Sequence, residues 1–128
     1  MDRQAVFSGN PYEGIWGHSR AVRVGNHVSV SGTAPIPGDG SDPPGDAYGQ
    51  TRLCLEIVLK GLADVGGKPE DVVRTRVYGT RTDIFDDVGR AHREVFATIH
   101  PASTFVVVKE LANPAWLVEI EADAIVAA

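Results

Sequence analysis

A single cysteine, Cys54, stands in the 128 residues, so the chain can form no internal disulfide and no thiolate zinc cage. Stability must come from a packed core and from contacts between subunits. No run approaches the roughly 18 uninterrupted apolar residues of a membrane span. The opening Met1-Asp2-Arg3-Gln4 also lacks the basic-then-apolar order of a secretion signal. A cytoplasmic protein with no membrane partner is expected. Basic residues are in the minority, 12 Lys and Arg against 17 Asp and Glu, a net charge of -5. Phosphate backbones are gripped by concentrated basic faces, so this composition argues against nucleic acid. His18, His27, His92 and His100 are scattered, with no i, i+4 pair and no His-x-His spacing, and no metal or cofactor is expected. Gly-x-Ser-x-Gly is missing as well, which leaves a serine-hydrolase triad little support.

What is present is an ordinary globular composition, 43% hydrophobic and 23% charged, expected to form one domain over residues 1–128. Ala21-Val22-Arg23-Val24 and His27-Val28-Ser29-Val30-Ser31 alternate around Gly25-Asn26, a hairpin pattern. A poorer strand signal covers Gln4 to Ser8. After a loop rich in Gly, Pro, Asp and Ser from Pro35 to Gly45, the apolar residues Cys54, Ile57, Val58, Leu62 and Val65 recur at helical spacing, with Asp46 as cap and Gly66-Gly67 as stop. Val72 to Thr82 reads as a strand with Val73, Thr75 and Val77 on one face. Thr82-Asp83 then offers the cap of a second helix, carrying Val88, Ala91, His92, Val95 and Ile99 and ending before His100-Pro101. Ser103 to Lys109 and Trp116 to Val126 are β-rich, joined by Glu110 to Ala115 as a wide hairpin or a crossover. The order predicts an α+β fold, a single mixed β-sheet with both helices packed on one face. Some strands are apolar on both faces, as around Phe105 and Val107, which points to burial against neighbouring subunits.

Strand periodicity puts Leu117, Glu119, Glu121 and Asp123 on one face and Val118, Ile120, Ala122 and Ala124 on the other. Clustered carboxylates raise one another's pKa, so one of them can hold a proton for acid-base chemistry. The plainer alternative is ion pairing with Arg74, Arg76 or Arg81. His92 and Cys54 fall on apolar helix stripes and read as core residues. His18 lies beside Trp16 and Gly17, where an imidazole and an indole can wall a pocket. Ser31-Gly32-Thr33 and Ser103-Thr104 bring hydroxyls and backbone N–H groups to strand ends, as binders rather than nucleophiles.

The blocks Val28-Ser29-Val30-Ser31-Gly32-Thr33-Ala34-Pro35, Gly45-Asp46 with Gln50-Thr51, Asp71-Val72-Val73, Pro101-Ala102-Ser103-Thr104 and Leu117 to Ala124 resemble, in order and spacing, the YjgF/RidA reactive-intermediate deaminase family. The resemblance covers nearly the whole chain and implies a chorismate-mutase-like subunit in a homotrimer, with three small-molecule clefts between subunits. Deaminases of that family hydrolyse enamines and imines, using a Glu that positions water and an Arg that grips the substrate carboxylate. Glu119 matches the Glu, but Ser103 stands where the Arg would be. A neutral Ser cannot make the bidentate, charge-assisted contact of a guanidinium. His18 stands at the position of the family's pocket Tyr, and Ser31 and Gly32 match cleft-lining positions.

The resemblance implies a divergent member with Glu119 as the catalytic group. His18, Ser31, Gly32, Ser103 and Thr104 would hold an imine, enamine or related carbonyl compound that lacks a carboxylate. A non-catalytic metabolite-binding or regulatory trimer is the alternative, and RNA cleavage a minor one. Chorismate rearrangement would need cations from elsewhere, such as Arg20, Arg90 or Arg93 of a neighbouring subunit.

Overall fold

A computed structural model describes residues 2–127. The first strand, β1 (Arg3–Val6), begins one residue ahead of the expected segment. It leads into a short helix, α1 (Pro11–Trp16), that the sequence pattern did not reveal. Six residues are too few for a periodicity, so α1 is specified by its ends: the Asn10 side chain accepts from the Tyr12 N–H at 2.9 Å, Pro11 opens the first turn, and Gly17 closes it at φ 76°. The hairpin follows as expected, β2 (Ala21–Val24) and β3 (His27–Thr33). Gly25 takes φ 61° in the two-residue turn, and β3 runs two residues past Ser31.

The long helix α2 (Ala47–Asp64) starts where expected, with the Asp46 carboxylate accepting from the Gly49 N–H at 3.2 Å. Its Cys54, Leu55, Val58 and Leu62 are at most 1% exposed. The next strand, β4 (Val72–Gly79), is shorter than the expected Val72 to Thr82. Thr82–Ile84 forms a 3₁₀ turn, and α3 (Phe85–Phe96) begins at Phe85 without a side-chain cap, so Thr82-Asp83 does not cap it. The helix also stops before Ile99, because Pro101 disfavours helical backbone at the residue ahead of it. His100 accordingly takes φ 55°, and both it and Ile99 donate back to the Phe96 carbonyl, at 3.0 and 2.9 Å.

The last two strands are β5 (Ala102–Val107) and β6 (Val118–Ile125). Together the strands form one mixed sheet in the order β1-β2-β3-β6-β4-β5. Of the two connections considered for Glu110 to Ala115, the crossover is the one present: β5 runs parallel to β4, while β6 lies antiparallel on the other side of β4. Two register shifts locate bulges. One lies between Val72 and Arg74, where Val72 stays in the core and Val73 turns outward, 47% exposed, off the face expected to hold it with Thr75 and Val77. The other lies between Val30 and Thr33.

The core sits between α2 and the sheet, built from Val28, Val30, Val118, Ile120, Ala122 and Ala124 against Cys54, Leu55, Val58 and Leu62. The third helix is the smaller cover. Phe85 on α3 meets Phe105 edge-on at 5.4 Å, and Arg90 lays its guanidinium over the Tyr48 ring of α2 at 3.9 Å. No helix among the described residues is long and apolar enough to cross a membrane.

Candidate functional site

The period of two holds along β6. Val118, Ile120, Ala122 and Ala124 are 0–2% exposed, and Glu119, Glu121 and Asp123 project from the opposite face. Their environments diverge. Arg76, opposite Glu121 on β4, pairs with Glu121 at 3.5 Å and Asp123 at 3.2 Å. The Tyr78 hydroxyl donates to Glu121, and Ser29 Oγ donates to Asp123 at 3.2 Å. Arg81 is engaged elsewhere, with Asp83 at 2.9 Å. Glu119 has no ion-pair partner within 4 Å among the described residues.

Burial raises the Glu119 pKa, and the charge of Glu121 pushes the same way, against an opposing pull from Arg20. A half-buried carboxyl held so keeps more of its protonated form near neutrality than a solvated one. Its carboxylate lies against Gly32: a Cβ there would stand 2.6 Å from Glu119 Oε2. A side chain at position 32 would therefore displace the Glu119 carboxylate from this place. Beside it, Ser31 Oγ donates to the Ser19 carbonyl at 2.7 Å and the Ser31 N–H donates to the Arg20 carbonyl at 3.0 Å. These two bonds bind the Gly17 to Arg20 segment to β3. His18 is half-buried in that segment, and its backbone N–H closes α1 on the Glu13 carbonyl at 3.0 Å. Trp16, two residues earlier, is 82% exposed.

Ser31, Gly32, Glu119 and the His18 segment therefore converge at one end of β3. Ser103 does not join them. Paired with Thr75 in the parallel register, it faces the helical layer, where Thr75 Oγ1 contacts Ser103 Oγ at 2.8 Å and His92 Nε2 at 2.8 Å. Thr104 points the other way, level with Arg76, on the acidic face but at the exposed outer edge of the sheet.

His92 is thus more than an apolar-stripe residue: its ring satisfies Thr75, which is fully buried. Burial also lowers the His92 pKa. A base whose pKa is lower folded than unfolded binds more protons when unfolded, so the contribution of this group to stability is flat above about pH 7 and falls as pH drops below roughly 6.5. Between pH 7.5 and 5.5 the urea midpoint of the wild type is expected to fall relative to that of His92→Gln. An equal change in that variant would assign the pH dependence to other groups.

Two features go beyond the expected roles: Arg20 was expected only as a cation from a neighbouring subunit, and the acidic groove was not expected at all. Arg20, 7% exposed, stands against Ser31 and Gly32 through two backbone hydrogen bonds; a charged residue just ahead of a strand gives no sequence signal of burial. A groove of about 890 Å³ lies between the Asp42 to Ala47 segment, the β4–α3 corner and Ala115 to Leu117, lined by Asp42, Asp46, Asp83 and Asp87 among others. None of the expected site residues lines it. Cys54 is sealed in the core, with its thiol pKa raised by burial, and is chemically inert. No cluster of three or more His, Cys, Asp or Glu suited to a metal ion occurs among the described residues.

Residues 10–126 match the family model described as endoribonuclease L-PSP. A RutC family protein of Pyrococcus abyssi is 31% identical over 123 residues, 95% of this chain and 96% of that protein. Among solved structures, Rv2704 of Mycobacterium tuberculosis, described as a member of the YjgF/YER057c/UK114 family, is 40% identical. It aligns with a TM-score of 0.90, covering 98% of this chain and 100% of that one. TdcF of E. coli, crystallised with bound serine, is 25% identical with a TM-score of 0.82, covering 96% of this chain and 94% of its own.

Proposed function

The chain belongs to the endoribonuclease L-PSP family, the YjgF/Rid family of its structural relatives, and from that premise we propose that it binds small metabolites in clefts between the subunits of a homotrimer and hydrolyses an imine, enamine or related carbonyl compound there. The observation that carries this reading is Glu119, a half-buried carboxyl with a raised pKa, with no ion-pair partner within 4 Å among the described residues and set against Gly32. In the proposed reaction the protonated carboxyl gives its proton to the imine nitrogen, or to the β-carbon of an enamine. The carboxylate then receives a proton from the water that adds to the C=N carbon, and collapse of the carbinolamine releases ammonia and the carbonyl product. His18, Ser31 and Gly32 hold the substrate from one subunit.

Ser103 is neutral and turned toward Thr75 and His92, which favours substrates without a carboxylate. The trimer is supported by apolar side chains that a lone subunit leaves in water: Phe7, Ile15, Trp16, Val106 and Val107 are 42–82% exposed. Against RNA as substrate, the face around Glu119 also carries Glu121 and Asp123, with Arg76 already paired to both. TdcF with its bound serine is a relative that holds a small polar metabolite.

The test is ketone or ketoacid release from two imine sources. A pyridoxal-phosphate dehydratase supplies 2-aminoacrylate and larger 2-imino acids; an amine oxidase supplies imines without a carboxylate. Acceleration is expected with the second set and little with the first. Acceleration confined to the first set would mean that another cation replaces the missing Arg. No acceleration with either, by a correctly assembled trimer, would remove catalysis and leave metabolite binding alone.

A further inference from the structure

Arg20 is the one described residue with a buried side-chain nitrogen that has no partner, its Nε, and its surroundings explain why the fold keeps a cation there. Nη2 donates to two consecutive carbonyls, Ser31 at 2.7 Å and Gly32 at 3.0 Å. In a regular strand consecutive carbonyls point to opposite edges, so one nitrogen cannot reach both. Here it can, because β3 carries an extra residue between Val30, opposite Ala122, and Thr33, opposite Ile120. Thr33 Oγ1 adds a third bond to the same kink, donating to the Ser31 carbonyl at 2.8 Å. The helix opposite makes room for the guanidinium's stem: a Cβ on Gly61 of α2 would stand 3.0 Å from Arg20 Cγ.

We propose that Arg20 is a positioning residue of the cleft: by clamping the Ser31 and Gly32 carbonyls it holds the β3 bulge that lets the Glu119 carboxylate rest over Gly32, and so fixes a buried positive charge on the Glu119 side of the sheet end. The proposal rests on Glu119 as the acid of the proposed reaction. It accounts for three features that are otherwise unrelated: the missing Cβ at position 32, the missing Cβ at position 61, and a buried Arg that neither Glu13 nor Glu119 approaches within 4 Å. The charge of Arg20 is felt by Glu13 and Glu119, and its own pKa is lowered by burial. The other groups bearing on Glu119 are Glu121 on its own strand, Tyr78 opposite on β4 and Cys54 on α2. None of these other three carries a positive charge.

The two roles separate in two variants, read on Glu119 itself by carbon-detected NMR of the glutamate-labelled protein, with E119Q to assign the signal. In R20M the cation is gone, and the Glu119 titration midpoint is expected to rise, a threefold or greater gain in proton affinity. In R20K the charge remains but a single ammonium lacks the guanidinium's planar fork. There the midpoint is expected to stay near wild type, while the Ser31 amide, bonded to the Arg20 carbonyl, exchanges with solvent at least tenfold faster as the bulge loosens. An unmoved midpoint in folded R20M, or wild-type Ser31 exchange in R20K, would overturn the proposal. Should R20M fail to fold, the R20K exchange rate decides. Neither readout needs a substrate, so failure of the imine assay leaves this test intact, and the reverse also holds.

Discussion

Replacing Glu119 with Gln is expected to lower turnover by about a hundredfold to ten-thousandfold, the range spanned by a single general acid-base group, while leaving the fold at least as stable as wild type at neutral pH. The second half separates loss of chemistry from loss of structure. The Glu119 pKa is raised in the folded state, so the folded chain binds more protons than the unfolded one between the two pKa values. Stability from this group is fully present below the unfolded value, about 4.3, and is lost as pH rises through the folded value. Gln carries no charge at any pH, so E119Q should match or exceed wild type in urea at pH 7, with the gap closing near pH 4. Retained turnover in E119Q would remove Glu119 from the mechanism. Lost turnover accompanied by a lower urea midpoint at pH 7 would show that the residue supports the fold instead.

The second large effect is structural. Gln50 is 1% exposed and spends its amide on three bonds: Nε2 donates to the Pro44 carbonyl at 2.8 Å and the Ala115 carbonyl at 2.9 Å, and Oε1 accepts from the Leu117 N–H at 2.7 Å. One side chain thus fastens the segment before α2 to the approach to β6. Gln50→Leu keeps the volume and leaves a buried N–H and two carbonyls unpaired, each worth about 1–3 kcal/mol if water cannot reach it. A loss of roughly 2–4 kcal/mol is expected in urea denaturation, together with faster exchange of the Leu117 amide. A loss below about 0.5 kcal/mol would mean that water replaces all three bonds. Leu117 lies two residues ahead of Glu119 on the same strand face, so a loosened strand start should also weaken any activity that depends on Glu119.

Which features could be read in the sequence follows from the range of the signals. The β6 faces were legible because one strand buried on one side repeats its pattern four times, and the hairpin because Gly25-Asn26 sits between two alternating runs. The short helix α1 was not, because caps without periodicity look like loop. The bulge at Val73 was not either, since one inserted residue flips every face expected before it and leaves no mark in composition. The expected site fared unevenly for a related reason. Ser103 and Thr104 are neighbours on a strand, so they cannot both face the same cleft. The period of two already separated them, but which one faces the helices depends on the register of β5 with Thr75. Ser31 and Gly32 escape that rule only through the bulge. Arg20 was expected only as a cation offered across a subunit boundary, because a charged side chain before a strand is ordinarily solvated; its burial within the subunit depends on packing against Gly61, 41 positions further along the chain.

The place of β6 governs how this protein must be made. It follows the other five described strands in the chain, yet it lies between β3 and β4. Until it emerges from the ribosome, the hairpin side of the sheet and the β4–β5 side have no hydrogen-bonded link, and Val28, Val30 and Val77 lack their partner strand. Nascent chains of this protein should therefore stay open to proteases and chaperones until β6 has emerged. Truncation before Val118 should yield an aggregating chain rather than a smaller folded one.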